Sequence, residues 1–152
     1  MPQILIPTTK ATPILQQMLY ANYRELSAIY GNNYTCGDIA EYADIISEAM
    51  QNAENSLRWI ENMAFVLFDS YHDYIYIHNL YTMPEHRDKG HAQKLVKTVL
   101  DIAKQKQVKY VPVLVHKNNS KAISLFGKLG FTNLGSYKYG LDDNVMEFRR
   151  EI

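Results

Sequence analysis

Between Tyr74 and His116 the spacing of apolar residues changes from that of a strand to that of a helix and back again. Tyr74–Thr82 reads as a strand. Past Gly90, the residues Ala92, Leu95, Val96, Val99 and Ala103 recur at helical spacing, with Lys94, Lys97, Asp101 and Lys104 on the wet side. Lys109–His116 reads as a strand once more. A strand–helix–strand unit of this kind forms a right-handed crossover, so its two strands are expected to be parallel neighbours in one sheet. Pro112 lies inside the second strand and brings no N–H. Full pairing is therefore not expected there, or the strand splays from its neighbour.

The remaining segments extend that sheet. Gln3–Pro7 is a short apolar first strand, and Thr12-Pro13 opens a helix to about Ile29, Pro being suited to a first turn. Leu15, Met18, Leu19, Tyr23, Leu26 and Ile29 form its apolar stripe, and Gly31, Asn32 and Asn33 end it. A second helix is predicted from about Asp38 to Ala53, with Ile39, Ala43, Ile46 and Met50 on one side. Asp38, Glu41, Asp44 and Glu48 form an acidic stripe on it, read as a solvated face unless it borders a cleft. Leu57–Glu61 and Met63–Phe68 are strands, and the breaks after them are short enough for hairpins. Ser120–Leu129 is a helix carrying Ala122, Leu125, Phe126 and Leu129, with Gly130 as its cap. Phe131–Tyr137 and Val145–Arg150 are final strands around a polar turn at Leu141–Asn144. The order β-α-α-β-β-β-α-β-α-β-β makes an α+β (mixed α/β) chain. No linker or repeat divides it, so residues 1–152 are read as a single domain.

Charge narrows the functional classes. Sixteen basic and sixteen acidic residues cancel, so no global field draws the chain to nucleic acid or a membrane, and neither partner is expected. Cys36 is the only cysteine, and the five histidines lack ligand companions at metal spacing; His86 and His91 read as solvated, and no metal site is expected. Met1-Pro2-Gln3 does not open a leader of basic then apolar residues. No apolar run approaches the roughly 20 residues of a membrane span. The expectation is a soluble, cytoplasmic protein, a monomer or homodimer.

The loop that opens the crossover helix carries the chemistry. Tyr81-Thr82-Met83-Pro84-Glu85-His86-Arg87-Asp88-Lys89-Gly90-His91-Ala92 runs from a strand end through a basic turn into a helix. The first N–H groups of a helix lack internal partners and, with the helix dipole, form an anion site. Gly90 lets an anion approach the backbone, Ala92 keeps the next turn clear, and Arg87, Lys89 and Lys94 add positive charge. A solvated charged turn has the same composition. A P-loop is excluded because no Gly-Lys-Ser/Thr ending is present.

Arg87-Asp88-Lys89-Gly90-His91-Ala92 resembles the Arg/Gln-x-x-Gly-x-Gly/Ala motif of GCN5-related N-acetyltransferases (GNAT superfamily). Asn119, Ala122 and Lys128-Leu129-Gly130-Phe131 are similar to the second signature, Asn-x-x-Ala ending in Gly-Phe. The resemblance covers about Phe65 to Arg150. It implies the GNAT acyl-CoA N-acyltransferase fold, acetyl-CoA as cosubstrate and an amine acceptor, small molecule or protein. The backbone of Arg87, Asp88, Lys89, Gly90, His91 and Ala92 would hold the CoA pyrophosphate. Leu80 and Thr82 would supply amides to the pantetheine arm and thioester carbonyl, and the splayed gap beside Pro112 would receive the cofactor. Asn119 would hydrogen-bond the cofactor or simply cap its helix. Lys128 would reach a phosphate or be a solvated helix charge.

Acyl transfer to an amine requires a proton acceptor, a stabilised carbonyl oxygen and a departing thiolate. By strict alternation Tyr74, Tyr76, His78, Leu80 and Thr82 share one face of their strand, and Ile75, Ile77, Asn79 and Tyr81 the other. The resemblance implies a Glu or His base on the first face. His78 stands there, resembling the catalytic histidines of arylalkylamine N-acetyltransferases; a histidine satisfied within the core is the alternative. Tyr76 is read as a packing or substrate-positioning residue. The departure is Phe126, where many family members place a tyrosine acid for the thiolate. Tyr137, Tyr139 or His116 could substitute, or the fold could have kept CoA binding with little turnover, as an interaction or regulatory module.

Overall fold

The computed structural model describes residues 2–30, 39–137 and 144–152. Its elements follow the expected order: β1 (Ile4–Leu5), α1 (Thr12–Tyr30), α2 (Ile39–Met50), β2 (Leu57–Ile60), β3 (Ala64–Ser70) and β4 (Ile75–Thr82). Then come α3 (His91–Lys106), β5 (Tyr110–His116), α4 (Ser120–Lys128), β6 (Thr132–Ser136) and β7 (Val145–Glu151). Short 3-10 turns lie at Thr9–Ala11, Ala53–Asn55 and Pro84–His86. The second helix stops at Met50, short of Ala53, because the chain tightens there into one of these turns. Cys36, Asp38, Tyr139 and most of the expected polar turn (141–143) lie outside the described residues.

The strands form one seven-stranded mixed sheet in the order β1-β2-β3-β4-β5-β7-β6. Every pair is antiparallel except β4–β5, the expected crossover. Helices cover both faces, and β3 shows why. Its residues Ala64–Phe68 are an unbroken buried run, as a strand covered on both sides requires. Val66 and Phe68 pack with Leu95, Val96 and Val99 of α3. Phe65 and Leu67 pack with Leu15, Met18 and Leu19 of α1 and Ile46 of α2. Several tyrosines serve the α1–α2 side: Tyr23 and Tyr42 stack with ring centroids 4.4 Å apart. Among the described residues no helix is long and apolar enough to cross a membrane.

Candidate functional site

The parallel pair is joined thinly. Ile77↔Val113 is its ladder pair, and Tyr74↔Tyr110 is an isolated bridge nearer the strand starts. All of β5 is meanwhile laddered to β7, from Tyr110↔Glu151 to His116↔Val145. Past Ile77 and Val113 the strands diverge; Pro112 itself lies on the joined side, between Tyr110 and Val113, is laddered to Arg149 of β7 and does not line the gap. The gap is a cavity of about 110 Å³, lined by Ile77, His78, Asn79 and Leu80 of β4 and Val113–Val115 of β5. Asn22, Leu26 and Tyr30 of α1 border it on one side, and Asn119, Ala122 and Phe126 on the other. Drug-sized ligands occupy cavities of roughly 300 Å³ or more. This gap therefore admits only one end of an extended ligand.

A β-bulge alters β4 at its centre. Phe68 pairs with Ile77 and Leu67 with Asn79, which leaves His78 without an opposite residue. The extra residue resets the alternation. Ile75, Ile77 and Leu80 pack on the α3 side. Tyr81 packs on the α1 side, where Asn79 bonds Asn22. The strict alternation expected from sequence is thus corrected: Leu80 shares a face with Ile77, not with Tyr76. His78, at the bulge, is exposed and is not a core histidine. Its Nδ1 lies 2.5 Å from Asn79 Oδ1. Asn79 Nδ2 in turn donates to Asn22 Oδ1 at 2.9 Å, both side chains being buried. In this arrangement the imidazole donates through Nδ1, and Nε2 keeps its lone pair. The Tyr76 ring centroid is 5.8 Å from that of His78. Burial, then Tyr137, Asp69, Tyr23 and Tyr30, push the Tyr76 hydroxyl up to about 12, so it stays protonated at neutral pH.

At the far end of β4 the backbone is shaped for an anion. Asp88 (φ 62°) and Gly90 (φ 82°) are both left-handed. Such a run of turns fans successive N–H groups toward one side. Lys94 N–H bonds the Gly90 carbonyl at 3.1 Å, so the N–H groups of His91, Ala92 and Gln93 precede the helical ladder. Asp88, Lys89 and Gly90 are exposed, and a Cβ built on Gly90 meets nothing within 4 Å. Arg87 points elsewhere. Its Nη2 donates to both carboxylate oxygens of Glu25 of α1, at 2.7 and 2.8 Å, and its Nε donates to the Thr82 carbonyl at 2.8 Å. His91 corrects another expectation: it is buried, not solvated, and its Nδ1 has no hydrogen-bond partner. Burial, then Lys94, His86 and Lys89, hold its pKa below the usual imidazole range.

A family model described as "Acetyltransferase (GNAT) family" matches residues 20–131. The chain belongs to the GNAT acetyltransferase family. No curated protein matches the sequence significantly. Among solved structures, the chain is similar to the PaiA N-acetyltransferase of Thermoplasma acidophilum, determined in complex with coenzyme A. The TM-score is 0.77 at 16% identity, over 100% of this chain and 99% of that one. YncA of Salmonella typhimurium, determined with its cofactor acetyl-CoA, gives 0.73 at 15% identity over 99% and 94%. The ribosomal-protein-alanine N-acetyltransferase of Brucella melitensis gives 0.75 at 14% over 99% of each chain. At these identities the likeness is one of fold.

The second GNAT signature has a plain structural basis here. Asn119 caps α4, its Oδ1 accepting from Ala122 N–H at 3.3 Å, and it also lines the gap. At the other end Phe131 N–H bonds the Phe126 carbonyl (3.0 Å) and Gly130 N–H bonds Gly127 (3.2 Å), with Gly130 at φ +82°. This is a Schellman motif, which favours a hydrophobic contact between its first and last residues. Those residues are Phe126 and Phe131, whose rings meet edge to face at 5.0 Å. Phe126 is 3% exposed. Lys128, in the last turn, is exposed.

Tyr30 is the residue that sequence reasoning missed. It comes from the GNAT fold's first helix, which carries no motif, and reaches the gap next to Asn119. Its hydroxyl hydrogen-bonds the Asn119 side chain, and its ring stacks on buried His116 at 4.4 Å. Burial and Tyr23 raise its pKa above the ordinary phenol value, against the lowering effect of Asn119. The available signal was its spacing: Tyr30 stands four residues after Leu26, and both line the gap. Of the suggested substitutes for a tyrosine at position 126, His116 has its Nδ1 occupied by the Asn118 N–H at 3.1 Å. Tyr137 lies close enough to Tyr76 to perturb it.

Proposed function

We propose that this chain is an acetyl-CoA-dependent N-acetyltransferase that transfers the acetyl group to a primary amine by direct attack on the thioester. The observation that carries the reading is the placement of His78: a bulge sets an exposed imidazole at the mouth of the β4–β5 gap. Below that gap, β4 runs into an anion-binding helix start. The structures with coenzyme A and acetyl-CoA bound to similar folds support the choice of cofactor.

In this reading the loop amides from Asp88 to Ala92 hold the pyrophosphate, with Lys89 lending charge. The open edge of β4 at Leu80 and Thr82 receives the pantetheine arm, and the narrow gap takes only the acetylated end. His78 Nε2 accepts a proton from the amine, whose nitrogen forms a bond to the thioester carbonyl carbon. A backbone amide on β4 stabilises the oxyanion. The C–S bond then breaks and the sulfur leaves as a thiolate. Tyr30, already a hydrogen-bonded phenol in the gap, gives it a proton in the role that Phe126 cannot fill.

Thiol release from acetyl-CoA, measured with a panel of primary amines, tests the proposal. Amine-dependent release is expected. Binding of acetyl-CoA with no release for any amine would instead establish a CoA-binding module.

A further inference from the structure

A second cavity lies on the other side of His78, between α2 and β3. It measures about 330 Å³, which is the size of a small-molecule site. Its apolar wall is Ile45, Ala49 and Leu67, and its polar groups are Glu48, Ser56, Asp69 and His78. His78 is common to this cavity and the gap. Asp69 is on the α2 side of β3, two residues after Leu67 and directly opposite Tyr76. Glu48 is exposed near the end of α2. Among the described residues neither carboxylate takes part in an ion pair.

Resting on the transferase reading, we infer that this cavity holds the acceptor and selects a small dicationic amine. The nitrogen that attacks must be neutral at the moment of transfer, so that its lone pair can bond to carbon and His78 can take the proton it then sheds. A monoamine would therefore bring no lasting charge to Glu48 and Asp69. A second ammonium would, because it keeps its proton throughout. The apolar wall suits a short methylene spacer between the two nitrogens. Two unpaired carboxylates in one small cavity attract such a cation and repel an acceptor bearing a carboxylate.

The test uses the full chain loaded with coenzyme A. Calorimetry compares 1,4-diaminobutane, 1-aminobutane and 4-aminobutyrate, for the native chain and for Glu48→Gln/Asp69→Asn. The diamine is expected to bind at least about tenfold more tightly than the monoamine. The double variant should lose that preference while coenzyme A affinity stays unchanged. Equal affinity for diamine and monoamine, or a preference that survives the double substitution, overturns the inference. Thiol release is measured in parallel with acetyl-CoA. Diamine binding without release leaves the cavity assignment standing and refutes transfer. Release with equal kcat/KM for monoamine and diamine leaves transfer standing and refutes the cavity assignment.

Discussion

His78 owes its exposure to one extra residue in β4. Without the bulge it would lie opposite a β3 residue and fall into the regular alternation of the two cores. With the bulge it projects at the mouth of the gap, held by Asn79, which Asn22 holds in turn. Tyr30 stands across the same gap as a phenol with a raised pKa. The pair predicts a two-limbed pH profile for kcat at saturating acetyl-CoA. The rising limb belongs to the group that takes the amine's proton; His78→Ala should remove most of the rate and flatten that limb. The falling limb belongs to Tyr30, which must keep its proton. Because burial and Tyr23 raise its pKa, that limb lies above the ordinary phenol range. Tyr30→Phe should abolish it and lower kcat by at least about tenfold, with coenzyme A affinity unchanged. A rising limb retained in His78→Ala would move the base elsewhere.

Helix α1 connects the parts of the site, since it supplies Asn22 to Asn79, Tyr30 to the gap and Glu25 to Arg87. Its docking rests on Leu15, Met18 and Leu19, all buried against β3. Each such side chain contributes about 1.5–3 kcal/mol. The Glu25–Arg87 pair is close, with Nη2 reaching both carboxylate oxygens, but its side chains are 38% and 31% exposed. A pair so exposed contributes at most about 1 kcal/mol. Apolar burial therefore dominates. Glu25→Ala should lower Tm by roughly 2–4 °C and leave the helix docked. Leu19→Ala should cost about 2–5 kcal/mol. Comparable losses in the two variants, measured by thermal unfolding, would show that the ion pair carries the docking. The same economy appears in α4, where the Schellman motif places Phe126 against Phe131.

At the scale of the molecule, the sheet is two antiparallel blocks joined along β4–β5 by the Ile77↔Val113 pair and the Tyr74↔Tyr110 bridge. A cofactor lying between the blocks would bridge what the ladder leaves open. Acetyl-CoA at a hundred times its Kd should stabilise the folded chain by about 2.7 kcal/mol, raising Tm by roughly 5–10 °C. Gly90→Val should remove most of that rise. The Cβ has room, so the fold should survive, though φ +82° disfavours any side chain. The valine would occupy the space an anion needs. An unchanged Tm rise in this variant would separate cofactor binding from the α3 N-terminus.

Local chemistry sufficed for much of this. Periodicity located the helices and strands, and Gly90 and Gly130 marked the turns that need a left-handed residue. These are properties of neighbouring residues, so a sequence carries them in full. The facing of β4 was not legible. A bulge depends on how two strands pair, and nothing in Tyr74–Thr82 alone says that His78 goes unpaired. His91 was misjudged because polarity suggests solvent, whereas the packing of α3 on the sheet buries it. Tyr30, Glu25, Glu48 and Asp69 lie far from either motif in the chain. Only the docking of α1 and α2 over the sheet brings Tyr30 into the gap, Glu25 onto Arg87 and Glu48 beside His78, while the pairing of β3 with β4 brings Asp69 there, because proximity between distant segments is settled by which faces and edges bury each other.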